Sequence, residues 1–258
     1  MLLVIDVGNT NIVLGLYDND VLVKSWRMAT GEGRTSDEMG IFLYSMFTHG
    51  GFATDCLQNV IISSVVPNIM YSLENGIRKY FDKQAIIVNK NMRLGISLNQ
   101  VGQRELGADR IVNCVAGYTL YGGETPIIII DYGTATTYDA VSATGEFITG
   151  ITAPGIKISA EALFSRAALL GKVELNFPPS VIVKSTAESV QAGILFGCIG
   201  ETEYIVKKLR ASIGEDAKVV ATGGLARTIS QGCDIFDHIN PNLTLEGLRM
   251  IYEMNVGE

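Results

Sequence analysis

Ile127-Ile128-Ile129-Ile130-Asp131-Tyr132-Gly133-Thr134-Ala135-Thr136-Thr137-Tyr138-Asp139 has a counterpart near the start of the chain, Leu2-Leu3-Val4-Ile5-Asp6-Val7-Gly8-Asn9-Thr10-Asn11. In each copy four aliphatic residues end in an aspartate, one residue intervenes, a glycine follows, and a run of Thr and Asn comes next. A short apolar run bounded by such a polar cluster reads as a buried strand. Gly8 and Gly133 permit a backbone turn that a side chain would block, so amide N–H groups can approach a ligand closely. A carboxylate at the strand end for hydrated Mg²⁺, with short hydroxyl and amide donors for phosphate oxygens, suits a nucleoside triphosphate.

Asp6 and Asp131 lie 125 positions apart in a chain of 258, close to half its length. The parallel continues. Val13 to Leu16 and Tyr138 to Val141 read as return strands, and Asn19-Asp20 and Thr144-Gly145 as the turns of the next hairpins. The expected fold is α/β: a pseudo-twofold pair of domains, each opening with strands and placing its aspartate turn at a shared cleft. The turn cluster Tyr121-Gly122-Gly123-Glu124-Thr125-Pro126 marks the expected boundary, giving domains 1–120 and 121–258. The last helix is a candidate to pack back across it.

Composition narrows the function. A net charge of −7 without a basic run argues against nucleic acid as a partner. Cys56, Cys114, Cys198 and Cys233 are widely spaced, which speaks against a zinc site or a disulfide framework and for small buried hydrophobes in a reducing cytoplasm. The first five residues are apolar and meet Asp6 at once, a strand rather than a signal segment, and no stretch approaches the roughly 20 apolar residues that span a bilayer. The expectation is a soluble cytoplasmic protein with no membrane partner.

Between the two aspartate turns, Thr35-Ser36-Asp37-Glu38 is a capping box opening a helix to about Phe47. Asn59 to Ser63 reads as a strand, turned by Ser63-Ser64-Val65-Val66 into a helix whose first turn holds Pro67. That turn is equally a ligand contact or a plain connection. Further on, Glu105-Leu106-Gly107-Ala108-Asp109-Arg110 opens a helix with Ile111, Cys114, Val115 and Tyr118 on one face. An acidic residue in a first helical turn is expected for the helix dipole, but a cation such as Arg110 is unfavourable there unless something anionic is near. Asp109 is therefore a candidate for a substrate hydroxyl, and Arg110 for an anionic group or a structural carboxylate.

In the second half, Thr152-Ala153-Pro154-Gly155-Ile156 breaks the chain before a helix near Ile158 to Leu170. A longer helix starts around Thr186, which by itself reads as a capping residue, and runs to about Arg210. Its Gly193, Gly197 and Gly200 permit close approach of another helix, within the molecule or from a second subunit. A strand, Lys218 to Ala221, runs into Thr222-Gly223-Gly224, and Leu243 to Met254 is a final amphipathic helix.

Taken together, Asp6-Val7-Gly8-Asn9-Thr10-Asn11, Leu106-Gly107-Ala108-Asp109-Arg110, Asp131-Tyr132-Gly133-Thr134-Ala135-Thr136-Thr137, Ala153-Pro154-Gly155 and Thr222-Gly223-Gly224 resemble the type III pantothenate kinases. That family belongs to the superfamily of sugar kinases, acetate kinase, heat-shock ATPases and actin, so the resemblance implies two duplicated ribonuclease H-like domains of the actin type, each a mixed α/β sheet flanked by helices, with a cleft between them. The Gly-Ala-Asp-Arg piece is the most discriminating, because the wider superfamily shares the turns but not that segment. The resemblance implies ATP-dependent phosphorylation of pantothenate to 4′-phosphopantothenate, the first step of coenzyme A biosynthesis. It implies that Asp6, Val7, Gly8, Asn9, Thr10, Asn11, Ile12 and Val13 embrace ATP, with Asp6 near Mg²⁺ through water and Thr134 a further ATP contact. It implies that Gly107, Ala108, Asp109 and Arg110 bind pantothenate with Asp109 as proton acceptor, that Thr186 touches pantothenate, and that Asp131 holds a required monovalent cation, K⁺ or NH₄⁺. It also implies a homodimer. Two positions depart from the family pattern. Gln100 stands where many members carry a substrate-contacting tyrosine, which makes Gln100 a candidate substrate contact, and Thr149 stands where a glycine is usual before Gly150. The competing readings are another phosphotransferase of the superfamily and a non-catalytic nucleotide-binding regulatory protein.

Overall fold

The computed structural model describes residues 1–31, 33–98, 106–167 and 170–256. Gln100 lies outside the described residues. The chain divides into two compact units, one formed by 1–95, 103–116 and 243–258, the other by 96–102 and 117–242.

The first unit is built on a five-stranded sheet of order β3-β2-β1-β4-β5, from β1 (Leu2–Val7), β2 (Asn11–Asp18), β3 (Val21–Ala29), β4 (Asn59–Ser64) and β5 (Ala85–Ile87). Strands β1, β4 and β5 are parallel, while β2 and β3 return antiparallel. The central strand β1 is buried at Leu2 to Ile5 and at Val7, and only Asp6 is half-exposed, as expected of a strand covered on both faces. Helix α1 (Ser36–His49) begins at the predicted capping box: Thr35 accepts from the Glu38 backbone N–H, and the Glu38 carboxylate accepts from the Thr35 N–H at 2.8 Å. Helix α2 (Pro67–Phe81) carries Pro67 in its first turn, where no N–H is needed. The two helices approach closely, since a Cβ on Gly76 would stand 2.8 Å from Ser36 O and 2.9 Å from Gly40 N. Leu43, Phe47, Leu73, Ile77 and Phe81 thereby reach the core of β1, β2 and β4.

The second unit repeats the plan. Strands β6 (Ile127–Tyr132), β7 (Ala135–Val141), β8 (Phe147–Pro154), β9 (Lys218–Thr222) and β10 (His238–Ile239) form a sheet of order β10-β9-β6-β7-β8. Strand β6 has the same burial sequence as β1, with Asp131 as its half-exposed fifth residue. The first seven residues of β2 and the whole of β7 match in the same way. Thr149 pairs with Ala140 beside an irregularity of the β7–β8 ladder, so its departure from the family pattern falls at a locally bulged backbone.

The helices correct several expectations. Helix α3 (Ala108–Tyr121) is buried at every position from Ile111 to Gly117, so its packing surface is broader than the single face predicted. Helix α4 spans Ile156–Arg166, starting two residues earlier than expected, directly after Gly155. Helix α5 spans Thr186–Ile213 and is capped by Ser185, whose side chain accepts from the Glu188 N–H; Thr186 is its first helical residue, not its cap. The short helix α6 (Ala226–Ile229) and strand β10 leave no periodic signal in so few residues. The last helix, α7 (Leu243–Val256), packs on β1, β2 and β4 of the first sheet. No helix among the described residues is long and apolar enough to cross a membrane.

Candidate active site

In the first unit, Asp6 ends β1 opposite Ser63 of the parallel strand β4, and the buried Ser63 hydroxyl donates to Asp6 Oδ1 at 3.1 Å. The turn that follows is held by Gly8 N–H donating to Asn11 O at 3.0 Å. Two further bonds come from Thr30, just beyond β3: its hydroxyl donates to Gly8 O at 2.6 Å and its N–H to Thr10 O at 3.0 Å. Asn9 and Thr10 project into solvent at the tip.

The Gly-Ala-Asp-Arg segment meets the same strand ends. Val65 donates its N–H to Val7 O at 3.1 Å, and a Cβ on Gly107 would lie 3.4 Å from Val65 Cγ1. It would also lie 2.5 Å from Asp109 Oδ1, so the Asp109 carboxylate folds back over a space that only glycine leaves open. That Oδ1 accepts from the Arg110 backbone N–H at 2.8 Å, using the partial positive charge of the α3 N-terminus. The second carboxylate oxygen has no partner among the described residues. The far side of α3 is held by α7, where Thr244 donates to Asn113 Oδ1 at 2.7 Å and Gly247 leaves room for the Val112 backbone.

In the second unit, Asp131, next to last in β6, lies between Thr137 of β7 and Thr222 of β9. Gly223 (φ +89°) turns tightly beneath it, since a Cβ there would run into the Asp131 carboxylate and stand 2.6 Å from Tyr132 N. Gly155 in turn lies against the Gly133 and Thr134 carbonyls. The Asp131, Ala-Pro-Gly and Thr-Gly-Gly pieces, far apart in sequence, therefore assemble at one end of one sheet. Tyr132 and Tyr138 anchor this end to α5, each hydroxyl sharing a bond with the buried Thr202 hydroxyl at 3.0 and 3.1 Å. Burial pushes both phenols well above their ordinary values, so they stay neutral. Thr186 is exposed at the first position of α5.

The two aspartate turns differ in one respect that matters. Between paired residues Val7 and Ile12 the first turn has four residues, whereas between Tyr132 and Thr136 the second has three. The longer turn carries more main-chain donors, as a phosphate cradle requires. The second offers Thr137, Thr222 and carboxylate oxygens, a set suited to a hard cation. Among the described residues no group of three or more His, Cys, Asp or Glu could hold a metal ion. Sequence reading missed Ser63 as the hydroxyl partner of Asp6, Thr222 as the residue beside Asp131 in the ladder, and Thr30. Ser63 and Thr222 occupy equivalent rungs in the two sheets, which only the strand order reveals.

A duplicated sheet whose central strands each carry an aspartate turn defines the sugar kinase and actin class of fold. Solved structures share it: a Campylobacter jejuni protein provisionally described as a Baf family transcriptional activator matches at 20% identity, with 97% of each chain covered and a TM-score of 0.59. A Sinorhizobium meliloti protein provisionally described as a 2-dehydro-3-deoxygalactonokinase matches at 11% identity over 98% of this chain and 96% of that one, TM-score 0.59. The ethanolamine utilization protein EutJ from Carboxydothermus hydrogenoformans matches at 12% identity over 96% and 89%, TM-score 0.52. These likenesses show the fold. The family model described as type III pantothenate kinase matches residues 2–208, most of the chain, and the chain belongs to that family. It is thus a pantothenate kinase, a phosphotransferase that uses ATP with a divalent metal, and the alternatives left open by the sequence give way to that activity.

Proposed function

We propose that the chain carries out this transfer with Asp109 as the proton acceptor of the pantothenate primary hydroxyl, the Asp6 turn on the triphosphate, and the Asp131 turn on a monovalent cation. The observation that carries the reading is the state of the Asp109 carboxylate: one oxygen is fixed by the Arg110 N–H and the other has no partner among the described residues. Phosphoryl transfer through a loose transition state depends on alignment and charge neutralisation more than on covalent help. Carboxylates are weak bases toward alcohols, so the proton moves late, as the bond from oxygen to phosphorus forms. Gly107, Ala108 and Arg110 border Asp109 and are assigned to pantothenate, with Arg110 facing its anionic end; Gln100 and Thr186 complete the proposed substrate contacts. Asp6, Val7, Gly8, Asn9, Thr10, Asn11, Ile12, Val13 and Thr134 are assigned to ATP. Mg²⁺, when bound near Asp6 through water, offsets charge on the triphosphate. K⁺ or NH₄⁺ at Asp131 is supported by the oxygen-rich surroundings of that carboxylate.

We also assign a homodimer in a reducing cytoplasm. Added Cβ atoms on Gly193, Gly197 and Gly200 of α5 would meet nothing within 4 Å, which leaves that helix face open to a second copy. Light scattering that gives a monomer mass removes the dimer.

The kinase assignment is tested by pantothenate-dependent ATP turnover in K⁺, NH₄⁺ or Na⁺, with Asp109→Asn alongside. Asn keeps an oxygen for the Arg110 N–H, so the helix start survives while the base is lost. Turnover is expected in K⁺ and NH₄⁺ but not Na⁺, and the variant should lose about 10²-fold or more in kcat. Near-normal turnover by Asp109→Asn ends its role as base. Equal rates in K⁺ and Na⁺ end the cation assignment.

A further inference from the structure

We infer that Thr30 is a positioning residue for the nucleotide turn, holding the Gly8–Asn11 loop open so that its amides face the phosphate. The inference rests on the assignment of that loop to ATP. A four-residue turn between antiparallel strands closes on itself when the first carbonyl accepts from the fourth residue's N–H. Here the bond in one direction is made, Gly8 N–H to Asn11 O at 3.0 Å, but the return bond from Asn11 N–H to Gly8 O is not. The Gly8 carbonyl is taken instead by the Thr30 hydroxyl at 2.6 Å.

The Thr30 backbone acts in the same sense on the neighbouring carbonyl. Its N–H donates to Thr10 O at 3.0 Å, which makes Asn11 and Ala29, paired across β2 and β3, a non-hydrogen-bonded pair. The Asn11 N–H is therefore not spent on β3, and it has lost its partner at Gly8. Peptide planarity completes the argument. The Gly8 carbonyl shares a trans peptide unit with the Asn9 N–H, and the Thr10 carbonyl shares one with the Asn11 N–H, so each N–H points opposite to its carbonyl. Drawing both carbonyls toward Thr30 thus aims both amides away from it, at the open side of the turn. Two amides aimed at the same side of a short turn offer an anion two donors. Thr30 touches no substrate in this account; it decides where the amides point.

The test compares Thr30→Val, which keeps the shape and removes the hydroxyl, with Thr30→Ser, which restores it. Binding of Mg-ATP is measured by calorimetry without pantothenate, and steady-state constants are measured for each substrate. In Thr30→Val the Gly8 carbonyl is expected to close onto the Asn11 N–H, weakening Mg-ATP about fivefold to tenfold, the scale of one hydrogen bond. KM for pantothenate and the melting temperature should stay within error, and Thr30→Ser should recover nucleotide affinity. Asp6→Asn separates the two levels of the argument. If Asp6→Asn weakens Mg-ATP and Thr30→Val does not, the role of Thr30 is overturned while the loop assignment stands. If neither changes Mg-ATP affinity, the loop assignment falls, and the role of Thr30 with it. Equal losses for both substrates in Thr30→Val also overturn the role, because they indicate general damage.

Discussion

Gly107→Ala isolates the placement of the Asp109 carboxylate from its chemistry. The added Cβ would stand 2.5 Å from Asp109 Oδ1, whereas ordinary contact begins near 3.4 Å, so the carboxylate must retreat by about 0.5–0.9 Å. Among the described residues nothing else is pressed: the next neighbour, Val65 Cγ1, is already at the ordinary distance of 3.4 Å. Gly107 does not occupy the left-handed region, so alanine accepts its backbone without strain. The backbone carbonyl of residue 107 still accepts from Ile111 N–H, which preserves the first turn of α3. A displacement approaching 1 Å of a reacting group costs on the order of 10²-fold. The expected loss is therefore about 10-fold to 100-fold in kcat for phosphopantothenate formation, with the melting temperature unchanged. The assay follows ADP release at saturating ATP and pantothenate. A rate within about twofold of the parent enzyme refutes the reasoning, because the carboxylate would then tolerate the shift. The same substitution placed on Asp109→Asn supplies the control. No further loss is expected there, since the group being misplaced is already gone, and a second full loss means the methyl acts elsewhere.

Two further outcomes follow from the second unit. Gly223→Ala forces a side chain into left-handed backbone (φ +89°) and 2.6 Å from Tyr132 N, a rigid atom that cannot swing aside. Strain and overpacking together should lower stability by about 2–4 kcal/mol, read by denaturant midpoint at constant slope; an unchanged midpoint contradicts the packing described beneath Asp131. Burial pushes the Cys198 thiol up to about 11 from an ordinary 9.0. The folded state therefore favours the protonated thiol. Its contribution to stability is full below about pH 9 and is lost as pH rises toward 11. Alkylation of Cys198 in the folded protein should keep accelerating with pH through that window, followed by mass spectrometry of its peptide, and a plateau near pH 9 rules the shift out.

The sequence by itself determined what is local. The four-aliphatic run ending in Asp6 or Asp131 specifies a buried strand because its length and composition leave no other way to shed water from the side chains. Thr35 and Glu38 fix the start of α1 within one turn, and Pro67 marks the start of α2. Asp109 and Arg110 fall in the first turn of α3, where a cation is out of place beside the helix dipole. The cap of α5 shows the limit of that local reading. Ser185 and Thr186 carry equivalent hydroxyls side by side, and only the backbone path decides that Ser185 accepts the Glu188 N–H. Tertiary structure alone decided the rest. Ser63 reaches Asp6 and Thr222 flanks Asp131 because β4 and β9 are the parallel neighbours chosen in each sheet, across 57 and 91 positions of chain. Thr30 governs the first turn through a strand hairpin whose return path no residue pattern announces. The last helix packs on β1 and meets α3 through Thr244 and Gly247, since its apolar face fits that surface. Periodicity tells each segment which side to bury but not against what; the partner is set by which surfaces exclude water together, and that is a property of the whole chain.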